Sequence, residues 1–132
     1  MSAPAVSRSS EAFATPPGHA PQSPDRPIDL VHLSKYTLGD RSLESELLTL
    51  FRNQAGVYLC RLENSMSETD WHAAAHSLKG SARSIGATRV ADCAAEAESL
   101  AAAESVLRFA ALDRLRSAVQ DADAYIGVIL GE

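Results

Sequence analysis

After residue 27 the chain has no proline: Pro4, Pro16, Pro17, Pro21, Pro24 and Pro27 all precede Ile28. A proline inside a helix removes a hydrogen bond and costs about 3 kcal/mol, so the commonest helix breaker is missing from everything that follows. Strand signals are missing too, with no alternating β-branched run bounded by a tight-turn pair such as Asn-Gly. The two cysteines, Cys60 and Cys93, are far apart in sequence, and no C-x-x-C pair suggests zinc or redox chemistry. They are expected to pack as small hydrophobes and not as a disulfide. No stretch approaches the roughly 20 apolar residues of a bilayer span. The start of the chain has no basic segment leading into an apolar run, as a secretion signal would. The expectation is a soluble, cytoplasmic protein. Finally, basic excess is lacking: the net charge is −5 and the pI about 5.3. That argues against nucleic acid as a partner while leaving room for one local basic patch.

What is present divides in two. Residues 1–27 are rich in Ala, Pro and Ser, with little apolar content beyond Val6 and Phe13, and are expected to form a disordered tail. Residues 28–132 are rich in Ala, Leu, Glu and Arg and read as one helical domain. A short first helix is expected near Leu30 to Tyr36, ended around Gly39 by a glycine cap. A second begins near Asp40 or Ser42 and carries Leu47, Phe51, Ala55, Tyr58 and Leu62 on one face. A third starts after Ser67 or Thr69 and runs to Ile85, where Gly86 breaks it. A fourth, from about Thr88, has a small-residue stripe of Val90, Ala94, Ala97 and Ala101. The last, after Glu104 and Ser105, repeats Leu112, Leu115, Val119, Ala122, Ile126 and Ile129 at threes and fours. Four long amphipathic helices with short links predict an all-α antiparallel four-helix bundle, with a short additional N-terminal helix.

The third helix contains the segment "AHSLKGSARSIGA", Ala75 to Ala87, with a glycine in its middle. At about 100° per residue, Trp71, Ala75, Leu78, Ala82 and Ile85 share a face and His76 lies about 140° from Trp71. The histidine therefore points out of the bundle. His72, Lys79, Gly80 and Arg83 surround it. A glycine in a helix costs about 1 kcal/mol relative to alanine, which a plain solvated surface would have no reason to bear. Helical side chains lean toward the N-terminus, so any side chain at position 80 would tend to cover the imidazole one turn earlier. Lys79, at i+3, can set an ammonium beside an anion on the ring. The pattern reads as an accessible nucleophilic imidazole with space for a phosphoryl group. A solvated face without further role is the alternative on geometry alone.

His76, Leu78, Lys79, Gly80, Ser81, Ala82, Ile85, Gly86 and Ala87 resemble the signature of the histidine-containing phosphotransfer domain, and a looser similarity runs from about Asp29 to Leu130. The resemblance implies a four-helix bundle that accepts a phosphoryl group on His76 from a receiver-domain aspartate and passes it to another. It implies Lys79 as the residue steadying the phosphoryl group and Gly80 as steric clearance. Its partners would be response-regulator receiver domains, with a hybrid histidine kinase as a further candidate. The chain would need no cofactor of its own, because the receiver supplies Mg²⁺. No G-x-x-x-x-G-K-[ST] loop is present, so the implied role is a monomeric carrier and not an ATP-dependent kinase. Face geometry alone adds His72, Ala73, Arg83 and Ser84 as partner contacts. Some members of the family set a polar side chain from a neighbouring helix against the histidine, and the sequence does not single out its counterpart here.

Two other readings stand beside this one. His72 and His76 form H-x-x-x-H, a pair one turn apart that could chelate a transition metal. Ala73 stands where a zinc protease would have glutamate, however, and no facing His or Cys cluster is evident, so no metal site is expected. A helical adaptor that keeps the fold without using the histidine is the other.

Overall fold

In the computed structural model the described residues are 26–132. The expected disorder of the proline-rich tail falls outside them, apart from Arg26 and Pro27. Ile28, the first residue of the expected domain, is completely buried.

The described residues form five helices, α1 (Leu30–Thr37), α2 (Arg41–Glu63), α3 (Glu68–Ile85), α4 (Thr88–Ser99) and α5 (Ser105–Ile129), with no strand among them. Helices α2 to α5 close a ring in which each packs on its sequence neighbour and α5 returns to α2, while α1 lies against α2 and α3. This is the expected antiparallel bundle with its additional N-terminal helix. Helix starts follow local chemistry: the carboxylates of Asp29 and Asp40 and the hydroxyl of Ser67 accept the orphan N–H groups of His32, Leu43 and Asp70.

The core face of α3 is as the periodicity predicts, with Trp71, Ala75, Leu78, Ala82 and Ile85 all buried, joined by Ala74. Three details differ. On α2 the buried position is Leu48, and Leu47 is half-buried at its edge, because the stripe turns toward α5 as well as α3. On α5 the buried stripe ends at Ile126; Ile129 is exposed, and Leu130 packs partly instead. This last turn lies beside the middle of α2, where Arg52 pairs with Glu132. Helix α1 is capped not by Gly39 but by Leu38, in the left-handed region at φ 52, with Gly39 following at φ 82.

Two features fix α4 against α3. Val90, Ala91, Ala94 and Ala97 are buried, and such small side chains let the two helices approach closely. The Trp71 indole N–H donates to the Ala97 carbonyl at 2.6 Å, tying the start of α3 to the end of α4. At the other end, Gly86 takes φ 84 and the N–H of Ala87 reaches back to the Ala82 carbonyl, a Schellman turn that reverses the chain. A Cβ on Gly86 would sit 2.9 Å from the Asp29 carbonyl oxygen, and the Asp29 N–H donates to the Gly86 carbonyl. The Gly-Ala part of the motif is thus an element of the fold, serving the turn and the docking of α1.

Candidate functional site

His76 sits in the middle of α3 with its side chain 63% exposed, pointing away from the core as the helical geometry requires. The ring is not isolated. Its Nδ1 lies 2.8 Å from Glu98 Oε2, a carboxylate carried by α4. Lys79 Nζ donates to the other oxygen, Oε1, at 2.5 Å. His72 Nε2 lies 3.2 Å from Oε2. One carboxylate therefore gathers both imidazoles and the lysine of the α3 surface.

Glu98 is only 14% exposed. The Lys79 hydrogen bond, and after it that of His76, holds its carboxyl below the usual carboxylate range, against an opposing push from burial. An ionised carboxylate can only accept hydrogen bonds, so the proton of a neutral His76 ring belongs on Nδ1. Nε2 then carries the free lone pair. The arrangement prepares one defined nitrogen as nucleophile and sets a negative charge where the ring becomes positive on attack.

Sequence reasoning did not single out Glu98. It lies 22 residues beyond His76, and only the antiparallel pairing of α3 and α4 brings the two together. The signal was faint: Glu98 continues the stripe Ala91 and Ala94 at a spacing of three and four, a charged residue at the end of a row of buried alanines.

Lys79 was expected beside the ring and is there, but it is 18% exposed and paired with Glu98. Gly80 is exposed, and a Cβ built on it would meet nothing within 4 Å. No packing partner requires the glycine. Arg83 is exposed and forms no ion pair with a described residue. Ser84 is exposed too, its hydroxyl donating back to the Ser81 carbonyl. Ala73, exposed on the other side of His76, lines a cleft between α2 and α3 with Arg61, Asn64, Asp70 and Ser77. All the expected site residues thus lie on the surface of α3, with His72 and Lys79 turned to Glu98 on the α4 side and Ala73, Gly80 and Ser84 toward α2.

Among the described residues no group of three or more His, Cys, Asp and Glu side chains is placed to hold a metal ion. The two histidine rings are nearly parallel, 9° apart in plane with centroids separated by 6.0 Å, and both turn to the same carboxylate oxygen. No helix of the described residues is long and apolar enough to cross a membrane.

Comparisons with known proteins bear on the family and the fold. The family model of the Hpt domain matches residues 46–125, a span holding His76, Lys79, Gly80 and Glu98. Among solved structures, the chain is similar to a rice protein classed as a histidine-containing phosphotransfer protein, at 20% identity over 80% of each chain with a TM-score of 0.70. At that identity the likeness concerns the fold. A search of curated proteins finds no match. The matched family span covers more than half of the chain, and the chain belongs to the Hpt domain family.

Proposed function

We propose that Nε2 of His76 is the phosphoryl acceptor through which this Hpt domain takes part in a phosphorelay. The observation that carries the reading is the hydrogen bond between His76 Nδ1 and Glu98, which leaves Nε2 as the free nucleophile on an exposed surface. The lone pair of Nε2 attacks the phosphorus of an aspartyl phosphate; the N–P bond forms as the O–P bond breaks, and the aspartate leaves as a carboxylate. The Nδ1 proton stays on the ring, and Glu98 offsets the positive charge that develops there. Lys79, held next to the ring by the same carboxylate, turns its ammonium to the phosphoryl oxygens. The Mg²⁺ that neutralises these oxygens during transfer belongs to the receiver's acidic pocket. In this reading the chain is a monomeric carrier and not an ATP-dependent kinase.

The direction of docking follows from charge and bulk. On the α4 side of His76 the surface is already filled by the paired side chains of Glu98, Lys79 and His72. Toward α2 the surface is low and uncharged across Gly80, Ala73 and Ser77, with Arg83 and Ser84 at its edge. Beyond these, Leu50 and Val57 are half exposed on α2, on the same face as Gln54, whose amide oxygen accepts from Ser81 of α3. A receiver, or the receiver of a hybrid kinase, approaches over Gly80.

The test is phosphorylation by a receiver domain charged with acetyl phosphate, followed by mass mapping. An acid-labile, alkali-stable phosphoryl group on His76 that is lost in His76→Gln is the expected outcome. Label on His72 with His76 unmodified contradicts the assignment.

A further inference from the structure

Three basic side chains converge on Glu98, and the phosphotransfer chemistry described above uses only the two that hydrogen-bond to it. The third is His72, whose Nε2 lies 3.2 Å from the oxygen that also meets His76. Face geometry alone suggests a partner contact for this residue, yet its ring nitrogen is turned to α4. The surroundings hold it there. Trp71, the preceding residue, is buried and donates its indole N–H to Ala97, the residue preceding Glu98. The pair His72 and Glu98 therefore follows directly on a rigid cross-link between the two helices.

We propose that His72 is a positioning residue: it holds Glu98 Oε2 on His76 Nδ1 while Lys79 leaves Glu98 for the phosphoryl group. The inference rests on the reading of His76 as acceptor. Before transfer Lys79 fixes Oε1, while His76 and His72 share Oε2. Once Lys79 turns away, a carboxylate held by His76 alone can rotate and release the Nδ1 proton. The His72 N–H supplies the second point that prevents this. The stacked, near-parallel rings set both side chains against one oxygen, His76 by a hydrogen bond and His72 by a 3.2 Å contact that closes when Lys79 leaves.

The experiment compares wild type, His72→Ala and His72→Gln, with two measurements. The first is the ring ¹⁵N spectrum of His76, at a pH where both imidazoles are neutral, which reports the Nδ1–H and Nε2–H tautomers. The second is the rate of charging from a phosphorylated receiver at saturating and subsaturating concentrations. In His72→Ala the His76 spectrum should move toward a mixture of tautomers, and the saturating rate should fall about three- to ten-fold, as for loss of one polar contact of ordinary strength. His72→Gln, whose amide can donate to the same oxygen, should restore both to within about two-fold. Wild-type ring shifts in His72→Ala overturn the proposal, and so does an effect confined to the receiver concentration needed for half-maximal rate, which marks a docking contact. If wild type carries no phosphoryl group on His76, the functional reading fails while the ring spectra still decide the role of His72.

Discussion

Gly80 separates stability from function more cleanly than any other residue of the site. A glycine inside a helix is destabilising by about 0.5–1 kcal/mol relative to alanine. A Cβ at position 80 would have nothing within 4 Å, so no steric cost opposes that gain. For a bundle of this size, Gly80→Ala should raise Tm by about 2–5 °C. The opposite is expected of transfer. The position lies one turn after His76, and a longer side chain leaning toward the N-terminus crosses the approach to Nε2. Gly80→Gln should therefore keep the fold and slow charging by a receiver at least about ten-fold, equivalent to about 1.4 kcal/mol of barrier. Gly56 supplies the control, since it is also helical and a Cβ there also meets nothing within 4 Å, but it lies on α2 away from His76. Gly56→Ala should gain stability and leave transfer unchanged. Thermal melts followed by circular dichroism and rapid-quench transfer assays decide the matter. Wild-type kinetics in Gly80→Gln, or equal slowing by Gly56→Ala, would refute the clearance argument.

Other perturbations have equally definite signs. Glu98 has a folded-state pKa below its ordinary 4.5, so its contribution is present above that pH and is lost as pH falls through the depressed value. Glu98→Ala should thus lower stability by about 0.5–1 kcal/mol at pH 7, allowing for solvent screening, and the gap in Tm should begin to narrow as pH falls below the ordinary 4.5 and close only below the depressed folded-state value. Gly86→Ala forces a Cβ onto φ 84 and into the Asp29 carbonyl; a loss of about 1–3 kcal/mol in denaturant titration is expected, and a neutral result would contradict the turn as described. Asp123 is half-buried with Oδ1 lacking a partner, and burial pushes its carboxyl above the ordinary 3.8, with Arg52 opposing. Its penalty is absent where it is protonated in both states and accrues as pH rises through about 3.8. Asp123→Asn should accordingly stabilise by about 0.5 kcal/mol at pH 7 and by nothing at pH 3, measured by paired thermal melts.

Much of the fold is legible in the sequence because it rests on short-range causes. The five helices, the Ser67 cap, the Gly86 break and the outward turn of His76 each depend on residues within a turn or two of one another. The errors occur where one helix meets another. Leu47 and Leu48 both fit an apolar stripe on α2, and only the position of α5 decides between them; Ile129 fits its stripe, yet it is Leu130 that packs against the core. The site divides in the same way. His76, Lys79 and Gly80 sit on one helix, and their arrangement follows from its geometry. Glu98 belongs to another helix, and its partnership depends on the register of α3 against α4, which small alanines and the Trp71 hydrogen bond establish only once the chain has folded. That register also changes the meaning of Lys79 and His72, which on one helix alone would be free surface side chains.

The most direct test is to identify the nitrogen that carries the phosphoryl group, by ³¹P and ¹⁵N NMR of the protein labelled at histidine and charged by a phosphorylated receiver. The expected spectrum shows phosphorus bonded to Nε2 of His76 with the proton retained on Nδ1, facing Glu98. Phosphorus bonded to Nδ1, or a phosphorylated histidine other than His76, would contradict the account.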